Sequence, residues 1–273
     1  MAQKRNPIVL IHGLWMTALC WENWVNRYTA SGYRVVAKSW PGMDIDINEL
    51  RRDPTPIAHM GITEIVAHYE NIIRDLDAPP IIIGHSFGGL IAQILLDRGL
   101  GAAAVAIAPA PVKGILFLPF STLKVTFPAL SNPANNRRAI PLTPEQFHYA
   151  FTNSLSEEES LAVYERYAVP GPDHILFQAA LANFNPHADT AVDFQNKERA
   201  PLLLISGGKD HVSPASVVEA NFRLYGKSSA VTEYRGFPER THYTLGQSGW
   251  EEVADYALTW SEAHAVERSG VAG

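Results

Sequence analysis

Along the chain, short runs of apolar and β-branched residues alternate with longer stretches in which apolar positions follow a helical period. The short runs are "IVLIHG" from Ile8, "YRVVAK" from Tyr33, "IIIGHS" from Ile81, "AAVAIAPA" from Ala103, "PLLLISGG" from Pro201 and "VTEYRGF" from Val231. Most are continuously apolar, as expected of strands in a parallel sheet covered on both faces. Helical spacing is plain at Ile62, Ile65, Val66, Tyr69, Ile72, Ile73 and Leu76, and again at Trp250, Val253, Ala254, Ala257 and Leu258. The pattern predicts an α/β fold: a mostly parallel six-stranded sheet with helices on both faces, joined by right-handed crossovers.

One interval breaks the alternation. Between the run ending near Ala110 and the one starting at Pro201 no strand pattern occurs, and the separation is too long for a simple crossover. Thr143-Pro144-Glu145-Gln146 and Ser156-Glu157-Glu158-Glu159 both read as capping boxes, each followed by apolar residues at helical spacing. The prediction is a helical insertion over 112–199, set into a core formed by 1–111 and 200–273. The closing stretch "AHAVERSGVAG" reads as a frayed tail.

Composition excludes several classes of function. With 273 residues and 47% hydrophobic content the chain can bury a sizeable core. A formal charge of −6, with 22 Lys and Arg residues scattered along the sequence, leaves no electrostatic footprint for nucleic acid. No apolar stretch approaches the roughly 20 residues of a membrane span, and "MAQKRNPIVLIHG" has no small-residue cleavage site, so a cytoplasmic location is expected. Cys20 stands alone, which rules out an intramolecular disulfide and argues against a cysteine metal site; it reads as a buried helical residue. No metal-ligand spacing is present, and no cofactor is expected.

Candidate chemistry begins at Gly84-His85-Ser86-Phe87-Gly88, which fits G-x-S-x-G with an apolar strand entering and a helix leaving. A sharp strand-to-helix turn would present Ser86 at the carboxyl edge of the sheet, with the glycines leaving room for the turn and for close helix-to-strand packing. A serine hydroxyl is a weak nucleophile until a base takes its proton, so this reading demands a histidine oriented by a carboxylate. Of the ten histidines, His59, His68 and His264 fall on helical segments, and His148, His174 and His187 lie in the insertion. His242, in "PERTHYT" just after the last strand, is the best placed. Asp210, in "SGGKDHVSP" after the fifth strand, is the matching acid, and adjoining His211 reads as a loop histidine. The order Ser86, Asp210, His242 suits a strand–turn–helix nucleophile.

An oxyanion needs two preorganised N–H donors. The Phe87 amide is one candidate, and Leu14 in "HGLW" after the first strand supplies the other, with Trp15 beside it. His12 reads as a brace for that loop. Trp15 and Trp40 follow strands and could equally wall a substrate pocket or pack in the core. The insertion is rich in aromatics from Phe117 to Phe184, most of them expected to face inward.

Through "VLIHGLW", "GHSFGG", "GGKDHVSP" and "THYT", the chain resembles the α/β-hydrolase fold serine hydrolases over nearly its whole length. It is most similar to the compact six-strand version seen in small plant esterases and hydroxynitrile lyases. The resemblance implies a helical cap over the active site, and a small-molecule carboxylic ester or lactone as substrate. Dehalogenases and epoxide hydrolases of the superfamily attack with an aspartate, whereas Ser86 stands here. Hydroxynitrile lyases carry threonine at Gly13 and lysine at Tyr243. The readings left open are a carboxylesterase, an acyl-homoserine lactonase, a cofactor-free perhydrolase or haloperoxidase-like enzyme, and a ligand receptor on a hydrolase scaffold.

Overall fold

A computed structural model describes residues 5–266, so most of the stretch read as a frayed tail lies outside the described residues. The strands are β1 (Ile8–Ile11), β2 (Val35–Ala37), β3 (Ile81–His85), β4 (Ala103–Ile107), β5 (Ala139–Ile140), β6 (Gly171–Pro172), β7 (Leu202–Gly207) and β8 (Thr232–Phe237). The helices are α1 (Glu22–Ala30), α2 (Ile47–Arg52), α3 (Ile62–Arg74), α4 (Phe87–Asp97), α5 (Phe120–Leu130), α6 (Pro144–Phe151), α7 (Glu157–Tyr167), α8 (His174–Ala180), α9 (Ala215–Leu224) and α10 (Trp250–His264).

Six strands form one sheet in the order β2-β1-β3-β4-β7-β8, and every pairing in it is parallel. The inner strands β1, β3, β4 and β7 are buried at every position, which is why they read as unbroken apolar runs. Edge strand β8 alternates between more and less exposed residues instead. Helices cover both faces, with α4 packed on β3 and β4, and α9 on β7 and β8. From β1 the chain first builds outward to β2, then crosses back to β3 on the other side. That reversal makes the carboxyl ends of β1 and β3 the switch point of the sheet, where open α/β folds form their binding crevice.

Between β4 and β7 lie α5 to α8, and both capping boxes are formed: Thr143 with Gln146 at α6, and Ser156 with Glu159 at α7. The interval is not free of strands, because β5 and β6 pair as a short antiparallel ladder, Ala139 opposite Pro172 and Ile140 opposite Gly171. Two residues per strand are too few to register as a periodicity. Its aromatics divide: Phe147, Phe151 and Tyr167 are buried, whereas Phe117, Phe120, Phe127 and Phe184 face solvent. Among the histidines set aside by position, His68 lies within α3 and His264 ends α10, while His59 sits in a turn after a short 3-10 helix. Among the described residues, no helix is long and apolar enough to cross a membrane.

One buried carboxyl carries a cost. Asp173, before α8, is fully buried, neither of its oxygens has a hydrogen-bond partner, and burial pushes its pKa up to about 7. The unfolded chain releases this proton near the ordinary value of 3.8, but the folded protein holds it to about 7. Stability attributable to Asp173 therefore falls as pH rises through that window, and the penalty is full above it. Asp173→Asn is expected to stabilise the protein by about 1–3 kcal/mol at pH 8 and progressively less toward pH 4, as read by thermal melts across that range.

Candidate active site

At the carboxyl end of β3 the backbone turns sharply into α4. Ser86 sits in that turn with φ 56° and ψ −122°, a region that residues with a side chain seldom occupy. Hydrogen bonds hold it there from both sides. Its amide donates to the Ile107 carbonyl, and its own carbonyl accepts from the amides of Gly89, Leu90 and Ala110. The motif glycines explain the close approach: a Cβ on Gly84 would lie 2.0 Å from the Gly88 carbonyl oxygen, and one on Gly88 would lie 2.1 Å from that of Ile11. Gly13, in the loop after β1, is equally confined, since a Cβ there would fall 2.6 Å from Ser86 Cβ.

The loops after β7 and β8 bring Asp210 and His242 together. His242 Nδ1 donates to Asp210 Oδ2 over 2.7 Å, and both side chains are fully buried. Asp210 Oδ1 accepts the amides of Val212 and Ser213 at 2.7 and 2.8 Å, which fixes the carboxylate ahead of α9. Ser213 Oγ in turn donates to the Pro109 carbonyl, tying this loop to the chain that leaves β4. With Nδ1 carrying the hydrogen, His242 Nε2 is an acceptor; it is buried and has no hydrogen-bond partner among the described residues. Phe151 packs edge-on against the imidazole at 4.9 Å.

Sequence reasoning missed His85. Fully buried beside Ser86, it donates from Nε2 to the His242 carbonyl over 2.9 Å, and the two imidazoles lie 4.6 Å apart. This bond ties the Ser86 turn directly to the His242 loop. Burial holds the His85 pKa well below its usual value, so the ring stays neutral and can keep one donor on that carbonyl. His85→Leu is expected to lower kcat by about 10- to 100-fold through misplacement of His242, with partial recovery in His85→Gln, which retains a donor. Steady-state kinetics of both variants check this.

The loop after β1 carries Leu14 and Trp15. His12 braces it as expected, Nδ1 donating to the Gly13 carbonyl and Nε2 accepting the Trp40 amide. Burial lowers the His12 pKa to about 4, which keeps the acceptor nitrogen bare. Among the described residues the amides of Leu14 and Phe87 donate to no protein acceptor, and Phe87 opens α4, where amide hydrogens point out of the helix. Trp40 is fully buried, stacks on His12 at 4.7 Å and is not among the residues that line the cavity at Ser86. Trp15, with φ 65°, does line a cavity of about 370 Å³ together with Ser86 and Phe87. The rest of that wall comes largely from the interval between β4 and β7, including Ile115, Leu118, Leu130 and Leu176. His211 bonds the Tyr149 carbonyl and takes no part in the Asp210–His242 pair. Cys20 is buried, and burial pushes its thiol pKa well up.

The sequence profile of the alpha/beta hydrolase family matches residues 8–256. The chain belongs to the alpha/beta hydrolase family. Solved structures similar to this hydrolase include an extracellular alpha/beta-hydrolase from a Paenibacillus species, 19% identical with a TM-score of 0.67 over 93% of this chain and 98% of that one. A monoacylglycerol lipase from Paleococcus ferrophilus is 20% identical with a TM-score of 0.64, covering 96% of each chain. A methylesterase from Arabidopsis is 16% identical with a TM-score of 0.64, covering 95% of this chain and all of that one. At these identities the likeness is one of fold. No curated protein sequence matches this hydrolase.

Proposed function

We propose that this alpha/beta hydrolase cleaves small to medium apolar carboxylic esters through a Ser86 acyl-enzyme. The observation that carries the reading is the buried Asp210–His242 hydrogen bond, which leaves His242 Nε2 free and is tied through His85 to a strained Ser86 at an apolar cavity. In this reading Ser86 Oγ attacks the ester carbonyl as His242 Nε2 takes its proton, and Asp210 stabilises the imidazolium that forms. The amides of Leu14 and Phe87 receive the oxyanion. Collapse of the intermediate expels the alcohol, which takes the proton from His242. Water then attacks the acyl-enzyme with His242 again as base, releasing the acid and restoring Ser86.

The insertion acts here as a cap, its α5 and α8 residues enclosing the acyl group. A cavity of about 370 Å³ suits a ligand of modest size, bound chiefly by apolar contact. A lactone would be opened by the same steps. A fluorophosphonate probe is expected to label Ser86 stoichiometrically, with mass spectrometry locating the adduct; an unlabelled native protein would remove the nucleophile from the reading. A kcat/KM panel of open-chain esters and acyl lactones of increasing chain length then separates the two substrate classes.

A further inference from the structure

The interval between β4 and β7 turns an apolar face to solvent. On α5 the side chains of Phe120, Leu123 and Phe127, at positions i, i+3 and i+7, all point outward, Phe120 being 78% exposed and Phe127 68%. Phe117 extends this face just ahead of the helix. Leu116 and Phe184, each 86% exposed, carry it to the Ser86 cavity, which both of them line. So many large apolar side chains gathered in water mark a contact surface.

The stretch of chain that carries this face is one-sided in charge, although Arg98 pairs with Glu70 and Lys113 bonds the carbonyls of Asn185 and Pro186. From Arg98 to Thr143 the sequence has Arg98, Lys113, Lys124, Arg137 and Arg138 and no aspartate or glutamate, in a protein of net charge −6. Lys124, Arg137 and Arg138 are exposed, the first on α5 itself.

We infer that this face docks on an anionic lipid–water interface, with the phenylalanines in the acyl boundary, the cations toward the headgroups, and the Ser86 cavity opening onto the lipid. An apolar surface rimmed by lysine and arginine is the pattern that binds such interfaces. A second copy of the chain fits less well. A two-fold contact through this face would set the exposed Lys124, Arg137 and Arg138 of each copy toward those of the other and would close the cavity whose rim Leu116 and Phe184 form. Substrate entry from the lipid rests on the ester-hydrolase reading; docking itself does not.

The test is co-sedimentation of the full chain with vesicles of phosphatidylcholine, alone and with phosphatidylglycerol at about one part in three. Binding is expected on the mixed vesicles, weaker on phosphatidylcholine alone, and reduced by salt. The triple variant Phe117→Ser, Phe120→Ser, Phe127→Ser should lose roughly tenfold or more in partitioning while keeping its melting temperature and its hydrolysis of p-nitrophenyl acetate. If that variant does not fold, Lys124→Gln, Arg137→Gln, Arg138→Gln should abolish the preference for phosphatidylglycerol. Absence of binding by the native protein, a preference unchanged in the charge variant, or a solution dimer that the phenylalanine variant dissociates would each overturn the proposal. Binding is read without turnover, so a protein that docks but hydrolyses no ester would sink the ester reading and leave this one standing.

Discussion

Ser86→Ala is expected to lower kcat/KM for a p-nitrophenyl ester by roughly 10⁴- to 10⁶-fold, leaving only the catalysis that binding and oxyanion stabilisation provide without a nucleophile. The size follows from how the proposed triad works as a unit. His242 has a proton to accept only if Ser86 offers one, and Asp210 assists only through His242, so losing the serine disables all three. The fold should survive, because the turn is held by the Ser86 backbone, whose amide bonds Ile107 and whose carbonyl collects three amides. A residue with φ 56° is strained whether it is serine or alanine. Steady-state kinetics, with a thermal melt of the same preparation, separate lost chemistry from lost structure; activity within tenfold of the native enzyme would mean that another group attacks.

Gly88→Ala is expected to cost about 3 kcal/mol or more of stability, and activity with it. The added methyl would meet the Ile11 carbonyl oxygen at 2.1 Å and the His12 carbonyl oxygen at 2.7 Å, both backbone atoms of β1 and the loop after it. No rotamer relieves that contact. Either α4 lifts off the sheet or the loop carrying Leu14 shifts, and the second outcome would also displace a proposed oxyanion donor. Gly226→Ala is the control, since nothing lies within 4 Å of its added Cβ. Urea titrations should place the Gly88 variant far below the native protein and the Gly226 variant close to it.

The core and the proposed triad were legible in sequence because each signal is local. Continuous apolar runs follow from strands covered on both faces, and G-x-S-x-G is contiguous in the chain, although only Gly84 is confined by its own turn, Gly88 being confined by the Ile11 and His12 carbonyls. Asp210 and His242 could be found because the switch-point topology confines reactive groups to loops after strands. What escaped depends on pairings that leave no local trace. The partner of His85 is the backbone carbonyl of a distant residue, which any side chain at 242 would offer. Ladder β5–β6 is held by two residues on each side. Helix α5 is apolar on more than one stripe, and its core stripe is the smaller-volume one of Thr122, Val125 and Ala129, so volume alone would have chosen the wrong face.

The Ser86 carbonyl also fixes when the site takes shape. Its three incoming amides come from two segments, Gly89 and Leu90 in α4 and Ala110 beyond β4. That peptide unit reaches its final geometry as the sheet assembles, so an arriving ligand finds the turn already ordered. The binding energy of that ligand is then left for holding it in place, because the conformational entropy of the turn was surrendered during folding.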